Sequence, residues 1–328
     1  MRAKPNIYTV GFVMQTEEEK EFEPQYPAEK YTSRPNPTAI LSPLYDSTFK
    51  TMFTQETEES NLALQSFISA VLGRHVAKVI LKPNEPAKET IEQKSMAYDI
   101  SVEFDGGELS DIEMQAWKED YDYTVRAEVQ AARLLTNNAK RGDNWHSQKV
   151  YQISILNFHL RKDDKQELSW YTLKDNSGNK LSDRQNIIFI DLKTIRMKFG
   201  TPIEDLTPIE KWGLFFSFVD DAKKADYVSK LVRSEKGIMA ADTTVKYMSE
   251  ADANWFTQNS RYIYERDRNT LIHNAEKRGY EEGSQQKAID AATNLLKMGK
   301  LSPEEIAKTM ELPIEKIQEL QKTITEQS

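Results

Sequence analysis

Two carboxylates and an amide stand where they could work together: Asp99, Glu113 and Gln115. Residues 97–104 alternate, with Tyr98, Ile100, Val102 and Phe104 on one side of an expected strand and Asp99 on the other. Residues 109–116 read as the partner strand, where Glu113 and Gln115, two apart, share a face. Asp105-Gly106-Gly107 supplies the hairpin turn, so Asp99 is expected opposite the neighbourhood of Glu113. Two carboxylates facing the same way repel unless positive charge lies between them. A hard divalent cation is the usual remedy, and Mg²⁺ needs only one or two carboxylates beside water and phosphate oxygens. The plainer alternative makes both acids the polar outer face of a half-exposed hairpin.

Elements on either side must hold this hairpin in place. Residues 45–53 read as a short helix. Residues 61–72 read as a clearer one, with Leu62, Phe67, Ile68 and Val71 at helical spacing and Gly73 as the stop. A short strand is expected at 76–81, before the hairpin. After it comes a long helix over 121–140, with Val125, Val129, Ala132 and Leu135 as its buried stripe. Residues 150–158 are the most strand-like run, and 168–173 and 186–192 add two more strands. Residues 208–219 form an apolar helix, and long charged helices follow. At the end, Ser302-Pro303-Glu304-Glu305 is a capping box that starts a helix. A second helix starts near Ile314, and Ile306, Ala307, Met310, Ile314, Ile317 and Leu320 would form one small apolar seam. The first 40 residues are an extension broken by five prolines, with a short strand expected at 8–14.

Composition narrows the class. The 328 residues are 38% hydrophobic and 29% charged. That suits a water-soluble chain with a real core and long solvated helices. No apolar run reaches the roughly 20 residues of a spanning helix, so a membrane partner is not expected. Cysteine is absent, which excludes disulfides and thiolate metal sites. No signal peptide is read at the start, and the expected location is the cytoplasm. The net charge of -8 weighs against broad nucleic-acid affinity. It still allows a local basic patch beside a metal. The histidines at 75, 146, 159 and 273 show no metal-ligand spacing and are assigned no chemistry.

Three further residues have two readings each. Asp46 is either a third acid or a cap for the first helix. Lys50 either touches phosphate or covers a solvated face. Arg126 either contacts DNA or pairs with a carboxylate. Arg133 shares its helix face more weakly, and Tyr121 and Tyr123 are read as packing residues.

The ordered set of these residues carries a resemblance. An Asp, a hairpin and then Glu-x-Gln resemble the signature of the PD-(D/E)xK nuclease superfamily. Asp46-Ser47-Thr48-Phe49-Lys50 resembles the opening motif of its Rpn-like branch, described as recombination-promoting nucleases or transposases. Ile112-Glu113-Met114-Gln115 and the later Arg126 match further motifs, and residues 301–307 resemble the usual tail. The likeness covers residues 41–195 well, so the expected organisation is 1–40 extension, 41–195 nuclease-like domain, 196–300 helical region and 301–328 two-helix tail. It implies an α/β fold of mixed α+β type, with a restriction-endonuclease-like α-β-β-β-α-β core. The element order read from the residues is the same.

The resemblance also implies metal-dependent hydrolysis of DNA, with Mg²⁺ as cofactor and Mn²⁺ as substitute. Asp99 and Glu113 would bind the metal and the Met114 carbonyl would complete the site. Gln115 stands where the superfamily usually has Lys. It brings no charge but can hydrogen-bond a water. Expected partners are DNA and a second copy of the chain. The rival function is a catalytically inactive scaffold for binding DNA or protein, and RNA is a third possibility. The tail has no basic excess on its second helix, so packing or assembly is its expected role rather than base reading.

Overall fold

A computed structural model of the chain describes residues 33–84, 98–118, 122–137, 147–161 and 165–326, apart from the side chains of 261–278, 281–282 and 325–326. The strand expected at 8–14, Tyr121, His146 and the two ends of the 121–140 helix lie outside these residues, as does the side chain of His273. The chain divides into two compact units after Ser260.

The first unit is built on a mixed sheet. Helices α1 (Asp46–Thr54) and α2 (Glu58–Leu72) come first. Strands β1 (Val79–Leu81), β2 (Ile100–Phe104) and β3 (Glu108–Gln115) follow, then α3 (Tyr123–Asn137) and β4 (Val150–Leu156). The order is α-α-β-β-β-α-β, as the sequence predicts with the first helix doubled. Strands β5 (Leu168–Thr172) and β6 (Gln185–Asp191) complete six strands in the order β1-β2-β3-β4-β6-β5. The β1–β2–β3 part is antiparallel, and β3–β4–β6 is parallel. Two antiparallel strands can share a tight turn, whereas the parallel step from β3 to β4 needs a crossover, which α3 provides. The turn itself, Asp105–Gly107, is a single 3-10 turn with positive φ at all three residues.

One sheet face is apolar. Ile100, Val102, Ile112, Met114, Ile153, Ile155, Ile188 and Ile190 are buried there in the main core. The same core takes in α1, α2, α5 (Pro208–Phe218), α6 (Ala225–Ser234) and α7 (Lys236–Ser249). Phe49, Phe53, Phe67, Trp212 and Phe216 meet at its centre, the Phe49 and Phe53 rings edge-to-face at 5.1 Å. Such rings combine large apolar area with a defined geometry. At Gly237 on α7 a Cβ would stand 2.0 Å from that of Ser66 on α2, so glycine permits this close helix approach.

The opposite face lies under α3, and here one expectation fails. Val125 and Val129 are about half exposed, Ala132 is exposed and Leu135 only partly buried. The buried residues are instead Tyr123, Ala127, Gln130, Ala131 and Leu134. The reason is what α3 covers: a sheet face carrying Ser101, Asp111, Glu113, Gln152 and Ser154, all buried. Small residues and polar-tipped ones fit that face, and the valines turn outward.

The second unit is small. The end of α8 (Asp252–Met298) packs with α9 (Pro303–Met310) and α10 (Ile314–Glu326) around Ala292, Ile306 and Ile317. The predicted seam is present in full, joined by Leu295, Leu296 and Leu312. The Ser302–Glu305 capping box closes in both directions.

Candidate active site

Ile100 pairs with Ile112 across β2 and β3, so Asp99, one residue before the strand, aligns with Glu113. Glu113 is fully buried. Its Oε2 accepts from the Tyr123 hydroxyl at 2.8 Å and from Gln115 Nε2 at 3.3 Å. Its Oε1 pairs with the Arg126 guanidinium at 3.2 Å and accepts from Gln130. The α3 crossover thus delivers three donors to one carboxylate, at positions 123, 126 and 130 of successive turns.

Asp99 is held from the other side. Lys50 on α1 stands 3.1 Å from Asp99 and 3.0 Å from Asp46. Burial pulls the Lys50 ammonium down, and the charges of Asp99 and Asp46 more than offset this, so it is raised overall. Asp46 does not cap α1, which has no side-chain cap. It is the first helical residue, and its role is to hold Lys50. Asp46, Lys50, Asp99, Glu113, Gln115 and Arg126 therefore converge. Met114 sends its side chain into the opposite core. Odd-numbered β3 residues bond to β4, as Gln115 does through Asn157, so the ladder's alternation turns the Met114 carbonyl toward β2.

Three contributors escaped the sequence reading. Asp111 pairs with Ser101 on one side and Gln152 on the other, and is fully buried. Burial, then the charges of Glu113 and Asp99, push this acid well above the usual carboxylate range, and Gln152 and the Arg126 charge favour its ionised form only weakly. Its spacing of two from Glu113 put it on the same face and was a readable signal. Tyr123 packs as expected, against Phe158 and Phe189, and also donates to Glu113. Gln130 shows only once the phase of α3 is known. Arg126 lies over the Tyr123 ring at 5.8 Å, which fixes its plane.

The electrostatics show a shortage of positive charge. Burial, then Glu113 and Asp46, push Asp99 up to about 7, against the lowering effect of Lys50. Tyr98 is driven to about 12 by burial and then by Asp111. Among the described residues no three acids or histidines form a ready metal cage. The Asp99–Glu113 pair, with Asp111 beside it, nonetheless fits a cation that asks for two carboxylates and takes its other ligands from water and phosphate.

A mixed sheet flanked by helices, built in the order α-β-β-β-α-β with paired acids on its hairpin, is consistent with a restriction-endonuclease-like fold. A family model described as PD-(D/E)XK nuclease family transposase matches residues 43–275, and the chain belongs to that family. No curated protein and no solved structure matches the chain. No helix among the described residues is long and apolar enough to cross a membrane.

Proposed function

We propose that the chain is a Mg²⁺-dependent DNA endonuclease working at Asp99, Glu113 and Gln115, in support of recombination or mobile-element movement. The observation that carries this reading is the alignment of Asp99 with Glu113, flanked by Lys50 and Arg126. Asp99, Glu113 and the Met114 carbonyl would hold the metal, with Mn²⁺ able to replace it. When bound, the metal would neutralise phosphate charge and acidify water. Gln115 then hydrogen-bonds the attacking water through its amide. Lys50 and Arg126 supply cations that a phosphate can recruit from their carboxylates. Tyr123 and Gln130 hold the Glu113 carboxylate in one orientation. The catalytic domain in this reading is residues 41–195, and a second copy of the chain would bring a second site to the other strand. Cytoplasm, where DNA is accessible, is the expected location.

A second reading has its own observation. Glu113 already accepts from four donors, and Gln115 supplies no charge. A catalytically inactive scaffold that binds DNA or protein fits both facts. The test is plasmid cleavage by purified full-length protein with Mg²⁺, Mn²⁺, Ca²⁺ or EDTA, beside Asp99→Ala, Glu113→Ala and Glu113→Gln. The expected result is nicking or linearisation that needs Mg²⁺ or Mn²⁺ and is lost in every variant, with folding verified by circular dichroism. Cleavage that survives in a pure variant removes the site assignment. No cleavage with any metal by folded protein selects the scaffold.

A further inference from the structure

Beyond the acids, at the C-terminal edge of the parallel strands, a second polar group is built into the sheet. Gln115, Leu156 and Asp191 form one row across β3, β4 and β6. Asp191 therefore lies two strands from Gln115, about 10 Å at ordinary strand spacing, on the same face. It is only 6% exposed. Its Oδ2 meets His159 Nδ1 at 2.8 Å, and its Oδ1 accepts from the Thr194 backbone N–H at 2.8 Å, capping α4 (Leu192–Arg196). A carboxylate beside Nδ1 fixes the imidazole and leaves Nε2 for an outside partner. Among the described residues Nε2 has none.

The mounting is rigid. Asn157 Nδ2 donates to the Ala116 carbonyl at 3.1 Å, the Asn157 N–H donates to the Gln115 carbonyl at 2.9 Å, and Arg196 donates to Asn157 Oδ1. Two residues past His159, the Arg161 guanidinium lies over the Tyr171 ring at 5.9 Å and has no ion pair among the described residues. The Tyr171 ring in turn packs on Phe189 at 5.8 Å. A carboxylate-held imidazole in the row of Gln115 and a ring-backed guanidinium toward the β5 edge of the sheet suit one ligand chemistry, the phosphodiesters of a nucleic-acid backbone.

We propose that His159 and Arg161 each grip a backbone phosphate of DNA beyond the scissile one, with Asp191 as the positioning residue for His159. This rests on the nuclease reading of Asp99 and Glu113, yet it can be tested without turnover. The plain rival is a partly exposed ion pair that holds the end of β4 and binds nothing, which would be worth little.

The measurement is fluorescence anisotropy of a labelled DNA duplex against the full chain carrying Glu113→Gln, over a salt series, with His159→Ala, His159→Lys or Arg161→Ala added. Removing Arg161 should raise Kd about three- to tenfold and flatten the salt dependence by about one phosphate contact, and removing His159 should do the same under acidic conditions where both ring nitrogens carry protons and Nε2 donates. His159→Lys should restore the slope. A purely structural role would lower Tm and leave the slope alone, which overturns the proposal, as does an unchanged Kd. A parent that binds no DNA overturns both the proposal and the reading beneath it. Slope changes as expected, with wild-type protein that never cleaves, would remove the endonuclease and leave this phosphate site standing.

Discussion

The two faces of the central sheet are built on opposite principles. On one, isoleucines meet a cluster of phenylalanines and Trp212, and stability comes from apolar area removed from water. On the other, Ser101, Asp111, Glu113, Gln152 and Ser154 are buried beneath α3, and burial with the neighbouring acids holds Asp111 well above the usual carboxylate range. The same strands supply both faces, because side chains alternate. One face can therefore be optimised for stability while the other keeps a charge arrangement that costs stability. Groups held against their electrostatic preference are what a site needs if it is to bind a cation or a phosphate.

That contrast can be broken or sharpened by substitution. The largest effect belongs to the apolar face: Trp212→Ala should cost about 3–5 kcal/mol, seen as a large fall in Tm with or without metal. If the loss is below about 1 kcal/mol, the aromatic cluster does not anchor the fold. On the polar face the sign reverses. Asp111→Asn should stabilise the metal-free protein in EDTA, by up to about 1–3 kcal/mol and more at high pH than at low, since burial and the neighbouring acids disfavour the ionised carboxyl that it removes. A lower Tm would mean that Gln152 and the cations already satisfy the acid.

A smaller, pH-dependent effect is expected at Asp99. Its folded pKa of about 7 lies above the ordinary 3.8, so the folded state binds its proton more tightly than the unfolded chain does. The stability from holding that proton is fully present below about pH 4 and is lost as pH rises through 7. Asp99→Asn should therefore raise Tm by a few degrees at pH 8 in EDTA, with the gain fading toward pH 4. A gain that does not change with pH would exclude Asp99 as its source. The smallest effect is on the outside of α3: Val125→Thr and Val129→Thr should each change stability by less than about 0.5 kcal/mol. A larger loss would show that this face is covered.

Those two valines also mark where the sequence misled. Hydrophobic periodicity assumes that a helix buries its apolar stripe, and for α5 it does; in α2 Phe67, Ile68 and Val71 are buried but Leu62, expected with them, is exposed and Leu64 takes its place. For α3 the partner surface is polar, so the buried stripe holds alanines, Tyr123 and Gln130, and the rule points to the wrong side. Although Tyr98, expected beside Ile100, precedes the strand and packs with Leu134 of α3 and Val150 instead, the hairpin was legible because alternation and the Asp-Gly-Gly turn fix which residues share a face. That placed Asp99, Glu113 and Gln115 together, and Asp111 could have been added by the same count. Gln130 and the His159–Asp191 pair were not legible, because their partners are separated by 17 and 32 residues and meet only through the crossovers.

The β2–β3 hairpin and the α3 crossover also differ in when they can form. A hairpin closes locally, in about 1–10 μs, and brings Asp99 toward Glu113 early. The parallel pairing of β3 with β4 must wait for the intervening α3 to form and swing back over the sheet, a non-local and slower step. Only then do Tyr123, Arg126 and Gln130 reach Glu113. A half-folded chain leaving the ribosome thus carries the acids without their clamp. The finished site comes into being only with the completed sheet.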